Sequence, residues 1–147
     1  MVLRATPVTG RPKIDGVLET CLYCDDVPAT RAFYERVFGF TAMVAEDRIV
    51  AMDAGKGHVL ILFRRGGTTA PVPVGGSSIP PHDGAGPQHF AFAIPAAAYG
   101  DWKRHLEDEG VAVESEVDWP SGGRSLYFRD PEGHLGELAT PGIWSNY

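Results

Sequence analysis

The chain has little cysteine: Cys21 and Cys24 alone, spaced C-x-x-C. No second pair exists to complete a four-ligand zinc site. Their neighbours Val17-Leu18-Glu19-Thr20 and Leu22-Tyr23 read as a strand, and strand residues three apart point to opposite faces. Sulfurs that diverge form neither a redox pair nor a metal clamp, so both read as plain reduced thiols. Long hydrophobic runs are missing as well. No stretch approaches the ~18 apolar residues of a membrane-crossing helix, so no membrane partner is expected. A basic stripe is also lacking. Thirteen Lys and Arg stand against 19 Asp and Glu, for a net charge of -6. Phosphate contact needs clustered cations, so no nucleic-acid partner is expected either. Residues 1–15 carry Arg4, Arg11 and Lys13 but not the apolar core of ~7–15 residues that a secretory signal requires. A cytoplasmic address is the expectation that follows.

What remains is the balance of a soluble globular chain, 44% hydrophobic and 22% charged over 147 residues, enough for one packed core. Eighteen Gly and 12 Pro make it rich in turns. A strand is expected over 16–24. Asp25-Asp26-Val27-Pro28 then offers an acidic cap with proline just inside a helix. That helix is expected over 28–38, with Phe33, Val37 and Phe38 as its apolar stripe and Gly39 as its terminator. Strands follow at 41–45, 48–53 and 58–64. The Gly/Pro-rich stretch 65–87 is too long for a plain connector. The order then begins again: a strand over 88–94, a helix from Pro95-Ala96 to Gly110 with Trp102 and Leu106 on its apolar face, and strands at 113–118, 124–129 and 135–140.

The expected fold is therefore α+β, two tandem βαβββ units spanning 16–64 and 86–140, joined by loop 65–87. Residues 1–15 and 141–147 are tails. Local spelling supports a duplication: Gly16-Val17-Leu18-Glu19 lies opposite Gly86-Pro87-Gln88-His89, an offset of 70. Gly57-His58 and Gly133-His134 each introduce the last strand of a unit. A duplicated unit buries its open sheet face against its twin, so two mixed sheets are expected to curve around a shared cavity with the helices outside.

Strand alternation nominates the cavity residues. Glu19, Cys21 and Tyr23 share one face; His89, Ala91 and Ala93 share another, with Phe90, Phe92 and Ile94 turned under a helix. Ser125, Tyr127 and Arg129 form a third set, and Leu135, Glu137 and Ala139 a fourth. Glu19, His89 and Glu137 thus point inward, and one imidazole with two carboxylates suits a divalent transition metal with positions left for water or substrate. Each taken alone also reads as an ordinary solvent-facing Glu or a hydrogen-bonded structural His.

Leu22-Tyr23-Cys24-Asp25-Asp26-Val27-Pro28-Ala29-Thr30-Arg31-Ala32-Phe33-Tyr34, running to Phe38-Gly39-Phe40, resembles the opening unit of the vicinal-oxygen-chelate superfamily. Tyr127-Phe128-Arg129-Asp130-Pro131-Glu132-Gly133-His134-Leu135-Gly136-Glu137 resembles its closing signature. That superfamily holds glyoxalase I, extradiol dioxygenases, fosfomycin-modifying transferases and bleomycin-resistance proteins. The resemblance covers 16–140 and implies metal positions at Glu19, His89 and Glu137. The fourth position of glyoxalase I falls near Ile61, which cannot bind a metal, and dioxygenases carry His where this chain has Glu19.

The resemblance implies a divalent ion (Zn, Ni, Mn or Fe) that chelates two neighbouring oxygens of a small-molecule substrate. A metal-dependent lyase or isomerase is the leading expectation, with Glu19 or Glu137 as base. A ring-cleaving dioxygenase and a non-catalytic drug- or metabolite-binding protein are the alternatives. Tyr127 either orients a substrate oxygen or transfers a proton, or packs with its hydroxyl satisfied. Arg124 and Arg129, with Ser125, are candidates for holding an anionic substrate, or are surface strand residues. His82, on the long loop, is either an acid or base that closes over the cavity or a water-exposed turn residue. His134, His58 and His105 read as turn or helix-surface residues, and Trp119 and Trp144 as walls of the pocket or of a partner surface. The family's habit of pairing units between chains implies a homodimer, with Glu19 from one chain joining His89 and Glu137 of the other. The N-terminal tail is expected to lie on the partner.

Overall fold

A computed structural model describes residues 3–6 and 10–147. The expectation for the N-terminal tail therefore falls partly on residues outside that set. Among the described residues no helix is long and apolar enough to cross a membrane.

The fold is α+β and its two halves repeat one order. The first runs β1 (Glu19–Cys24), α1 (Val27–Phe38), β2 (Thr41–Ala45), β3 (Ile49–Asp53) and β4 (Val59–Arg64). The loop that follows carries a small hairpin, β5 (Val72–Val74) and β6 (Ser77–Ile79). The second half runs β7 (His89–Ala93), a 3-10 turn at Ala96–Ala98, α2 (Tyr99–Asp108), β8 (Ser115–Asp118), β9 (Arg124–Arg129) and β10 (Leu135–Ala139). Strand order is β1-β4-β3-β2 in one sheet and β7-β10-β9-β8 in the other. The two orders are equivalent position by position, as a duplication requires. Glu19 and His89, 70 positions apart, each open the first strand of their half.

Local chemistry sets the element ends. Asp26 caps α1, its Oδ1 accepting from the Ala29 N–H at 3.0 Å, and Gly39 ends it at φ 69, a left-handed conformation that glycine enters without a Cβ clash. Helix α1 buries Val27, Thr30, Phe33, Tyr34 and Val37. Tyr34, fully buried, joins the expected stripe, while Phe38 is half-buried. In α2 the buried residues are Tyr99 and Leu106, and Trp102 is half-buried. The stretch 65–87 is ordered around its hairpin. Gly75-Gly76 between Val72-Pro73-Val74 and Ser77-Ser78-Ile79 supplies the two-residue turn that such hairpins need.

The chain condenses into two compact units that cut across the repeat. One holds Leu18–Phe90 together with Arg129–Gly136; the other holds Ala91–Phe128 and Glu137–Tyr147 with the described residues before Leu18. In the first, β1 and β4 pair in parallel, Cys21 opposite Ile61 and Tyr23 opposite Phe63. Leu22, Cys24, Leu60 and Leu62 occupy the opposite face and are almost wholly buried. Each of these leucines contributes about 1.5–3 kcal/mol by leaving water.

The turn 129–136 locks onto the first strand and helix. Asp130 accepts from the Tyr34 hydroxyl at 2.9 Å and from the N–H groups of Glu132 and His134 at 3.0 and 2.9 Å. His134 is fully buried, which corrects its reading as a turn-surface residue. Its Nδ1 accepts from the Gln88 N–H and its Nε2 donates to the Tyr23 carbonyl, both at 2.8 Å. A neutral imidazole holding two backbone groups satisfies both of its nitrogens inside the core. Phe90, buried and turned away from His89, meets the Tyr34 ring at 6.2 Å between centroids. Phe90, expected under the helix of its own repeat, thus has a ring partner on α1.

Burial, and then the Asp130 carboxyl, hold the Tyr34 phenol well above the ordinary tyrosine range. The unfolded chain therefore sheds this proton near pH 10 while the folded chain keeps it, so its contribution is intact below about pH 10 and declines above it. Tyr34→Phe, which leaves Asp130 one donor short, is expected to lower stability by about 1–3 kcal/mol at pH 7. It should also flatten the alkaline decline. Urea denaturation at pH 7 and above pH 10 checks both effects.

Candidate functional site

The first compact unit holds a cavity of about 490 Å³ on the face of β1 and β4 that carries Glu19, Cys21, Tyr23, Ile61 and Phe63. This is the face that alternation assigned to Glu19, Cys21 and Tyr23. The hairpin loop forms the other wall and brings His82 to it. The loop is pinned from both directions, since the His82 N–H donates to the Thr68 carbonyl at 2.9 Å and the Thr68 hydroxyl donates to the His82 carbonyl. The Tyr23 hydroxyl lies 2.6 Å from His82 Nδ1, and the His82 ring meets Phe63 edge-on at 4.6 Å between centroids. Gly84 lies against the Tyr23 ring so closely that a Cβ there would collide with it. His82 is thus held at the cavity wall.

The two thiols behave as structural groups. Cys24 is fully buried and burial pushes its pKa up to about 12, while Cys21 lines the cavity with a pKa raised by burial and by the charge of Glu19. Both stay protonated and uncrosslinked.

His89 opens β7 on an exposed face, and its Nδ1 lies 2.9 Å from the Leu135 carbonyl. A carbonyl only accepts, so Nδ1 carries a proton, and Nε2 is the nitrogen left to serve as a ligand. That is the orientation a metal-binding imidazole takes when a backbone carbonyl fixes its tautomer.

In the second compact unit a file of hydrogen bonds leads to Glu137. Trp119 Nε1 donates to the Ser125 hydroxyl at 2.8 Å, and Tyr127 bonds both Ser125 and the Glu137 carboxylate. Burial, followed by the hydrogen bond to Glu137 and its charge, raises the Tyr127 pKa, so the phenol remains a donor. Glu137 is only 8% exposed and forms no ion pair among the described residues. A buried carboxylate without a cation is costly unless one is supplied.

Two expected anion holders are occupied elsewhere. Arg124 lies on the strand face opposite Ser125 and Tyr127, its guanidinium 3.9 Å from the centre of the Tyr99 ring and its Nε 2.8 Å from Asp118. Arg129 donates to the Gly133 carbonyl at 3.1 Å. One residue not nominated from the sequence also belongs here, Arg48 on the cavity wall, and Trp119, read from the sequence as a wall of the pocket or of a partner surface, stands at the head of the hydrogen-bonded file. Nothing in the alternation of β9 pointed to Trp119, because its indole approaches Ser125 from the turn before the strand. Among the described residues no three His, Cys, Asp or Glu side chains of one chain gather closely enough to hold a metal ion.

Comparison with known proteins agrees with this architecture. A family model described as the Glyoxalase/Bleomycin resistance protein/Dioxygenase superfamily matches residues 14–138. The metallothiol transferase FosB of Bacillus licheniformis is 27% identical over 133 residues, covering 90% of this chain and 79% of its own. The structure of lactoylglutathione lyase from Agrobacterium tumefaciens superposes with a TM-score of 0.82 at 31% identity, covering 91% of this chain and 99% of that one. A mutant of the fosfomycin resistance protein FosX from Listeria monocytogenes, solved with Mn(II) and 1S,2S-dihydroxypropylphosphonic acid, shares the fold at a TM-score of 0.61 and 22% identity, covering 86% and 90% of the two chains. With the match spanning most of its length, the chain belongs to the Glyoxalase/Bleomycin resistance protein/Dioxygenase superfamily.

Proposed function

We propose that the chain is a metal-dependent enzyme of the glyoxalase type, a lyase or isomerase acting on a small molecule with two adjacent oxygens. The observation that carries this reading is the buried Glu137 carboxylate, held by the Tyr127 phenol and without a cationic partner among the described residues. Glu137, His89 and Glu19 are the proposed ligands. The donor set fits the group: one imidazole with its tautomer fixed by Leu135, and carboxylate oxygens, suit a borderline divalent ion such as Zn, Ni, Mn or Fe. The likeness to a lactoylglutathione lyase and to a metallothiol transferase supports the same class.

Since no single chain gathers three such ligands among the described residues, we assign Glu19 to one copy and His89 with Glu137 to a second. Exposed apolar residues just before β1 and on edge strand β2, Leu18, Met43 and Val44, support an apolar contact between copies.

A divalent ion held by these residues would supply Lewis acidity toward the two substrate oxygens, which would acidify the neighbouring C–H bond. The chain's own residues do the rest. One glutamate accepts that proton and returns it to the adjacent carbon, which a carboxylate does well when it is partly desolvated. Tyr127 donates to Glu137 and fixes its orientation, and Ser125 with Trp119 holds Tyr127 in line. The His82–Tyr23 pair stands on the cavity wall as a further hydrogen-bonding surface for substrate.

Purified protein is expected to carry about one divalent ion per chain by elemental analysis, to sediment as a dimer, and to lose turnover of lactoylglutathione on chelation. Glu137→Ala is expected to lower metal affinity by at least about tenfold. A chain that takes up no metal from any of the four ions overturns the reading. Tyr127→Phe is expected to retain the metal but lower kcat about 100-fold. Because the Tyr127 pKa is raised, its phenol stays protonated across the neutral range, and wild-type kcat is expected to show no loss from this group below about pH 10. A pH–rate profile of both proteins checks this.

A further inference from the structure

The cavity on the first sheet carries an unbalanced wall. Ile61, Phe63, Val72 and Ile79 make much of it apolar, and Glu19 is the one carboxylate among the lining residues. Arg48, at the foot of β3, is half-buried there and forms no ion pair with any described residue. The other two arginines around this loop differ in setting. Arg65 binds Asp25 at 2.8 Å, and Arg64 faces the opposite side of the sheet, in a separate cleft. A half-buried arginine on the wall of a largely apolar cavity, with no carboxylate bound to it among the described residues, offers a charge to an anion that enters with its own apolar surface.

We propose that this cavity binds a small organic acid, with its carboxylate on Arg48 and a short apolar or aromatic body against Ile61 and Phe63. A cavity of about 490 Å³ suits a molecule of that size. The inference deepens the proposed metal chemistry and rests on it in one respect: with Glu19 committed to an ion, Arg48 is left as the charge that selects the substrate. The Tyr23–His82 pair adds hydrogen-bonding groups to the same wall. His82 is held there by its paired bonds with Thr68, so the site is formed before a ligand arrives.

The test uses phenylacetate and its neutral analogue phenylacetamide, titrated calorimetrically into the full-length protein with Mn(II) and again with EDTA. Phenylacetate is expected to bind saturably and about tenfold more tightly than the amide, the weight of one charge-assisted hydrogen bond. Arg48→Gln, which keeps the stem and removes the charge, is expected to erase that preference and leave amide binding unchanged. Ala70→Trp, on the exposed part of the loop, fills the cavity and is expected to weaken both ligands, with circular dichroism checking that the variant folds. Equal affinity for acid and amide overturns the proposal, as does an unaltered preference in Arg48→Gln. So does no saturable binding of phenylacetate up to about 10 mM. Metal uptake with no phenylacetate preference overturns this proposal alone. A preference that persists in EDTA and in Glu137→Ala upholds it even where the metal reading fails.

Discussion

The structure of the first compact unit depends on one buried polar knot, in which Asp130 and His134 of a single turn satisfy groups from three other segments. Asp130 takes the hydroxyl of Tyr34 from α1, and His134 bridges the Gln88 N–H before β7 and the Tyr23 carbonyl of β1. Each of these bonds contributes about 1 kcal/mol net, but removing one partner strands a buried group at a larger cost. The knot therefore specifies geometry more than it adds stability. It explains why the compact units exchange segments: the turn belongs to the second repeat in sequence and to the first unit in space. Burial raises the Asp130 carboxyl pKa, against the lowering effects of His134 and of its hydrogen-bond donors.

The same economy governs the cavity wall. A loop of this length loses much backbone entropy on ordering, and few of its side chains bury apolar surface. Its hairpin closes its own hydrogen bonds, and the reciprocal Thr68–His82 pair ties the return segment to the outgoing one. Gly84 then lets that segment lie on the Tyr23 ring, where any side chain would force it off. Tyr23 is thus used on three sides, its carbonyl by His134, its hydroxyl by His82 and its ring by Gly84. A residue with that many constraints holds the wall and the knot in register.

Most of the fold was legible in the sequence because its period-two strands are short and sharply punctuated. Asp26 and Gly39 mark both ends of α1, and the 70-residue echo from Glu19 to His89 announces the repeat. The facing of Glu19, Cys21 and Tyr23 followed from alternation alone. The hairpin in 65–87 was spelled by Gly75-Gly76 but obscured by the surrounding glycine and proline. His134 was misread because a Gly-His turn ordinarily faces water; only long-range partners, Gln88 and Tyr23, make it a core residue. Arg124 was read either as an anion holder or as a surface strand residue. Strand position puts it opposite Ser125, and cation–π attraction to Tyr99 holds it there, an interaction that alternation by itself does not weigh.

Two histidines illustrate how a structural constraint becomes a functional one. His134 has both nitrogens on backbone groups and is spent on the fold. One of those groups, the Gln88 N–H, belongs to the residue whose carbonyl accepts from the Leu135 N–H at 2.9 Å. The carbonyl of Leu135 in turn faces Nδ1 of His89. A continuous path of hydrogen bonds and peptide groups therefore runs from the buried imidazole to the exposed one. The first fixes the strand positions, and the second has its tautomer set by the strand so placed. If His89 binds an ion, its ligating nitrogen is selected by a knot that never touches that ion. This places the Asp-Pro-Glu-Gly-His turn among the determinants of the site as well as of the fold, since loosening the turn frees the Leu135 carbonyl to move away from the ring it orients.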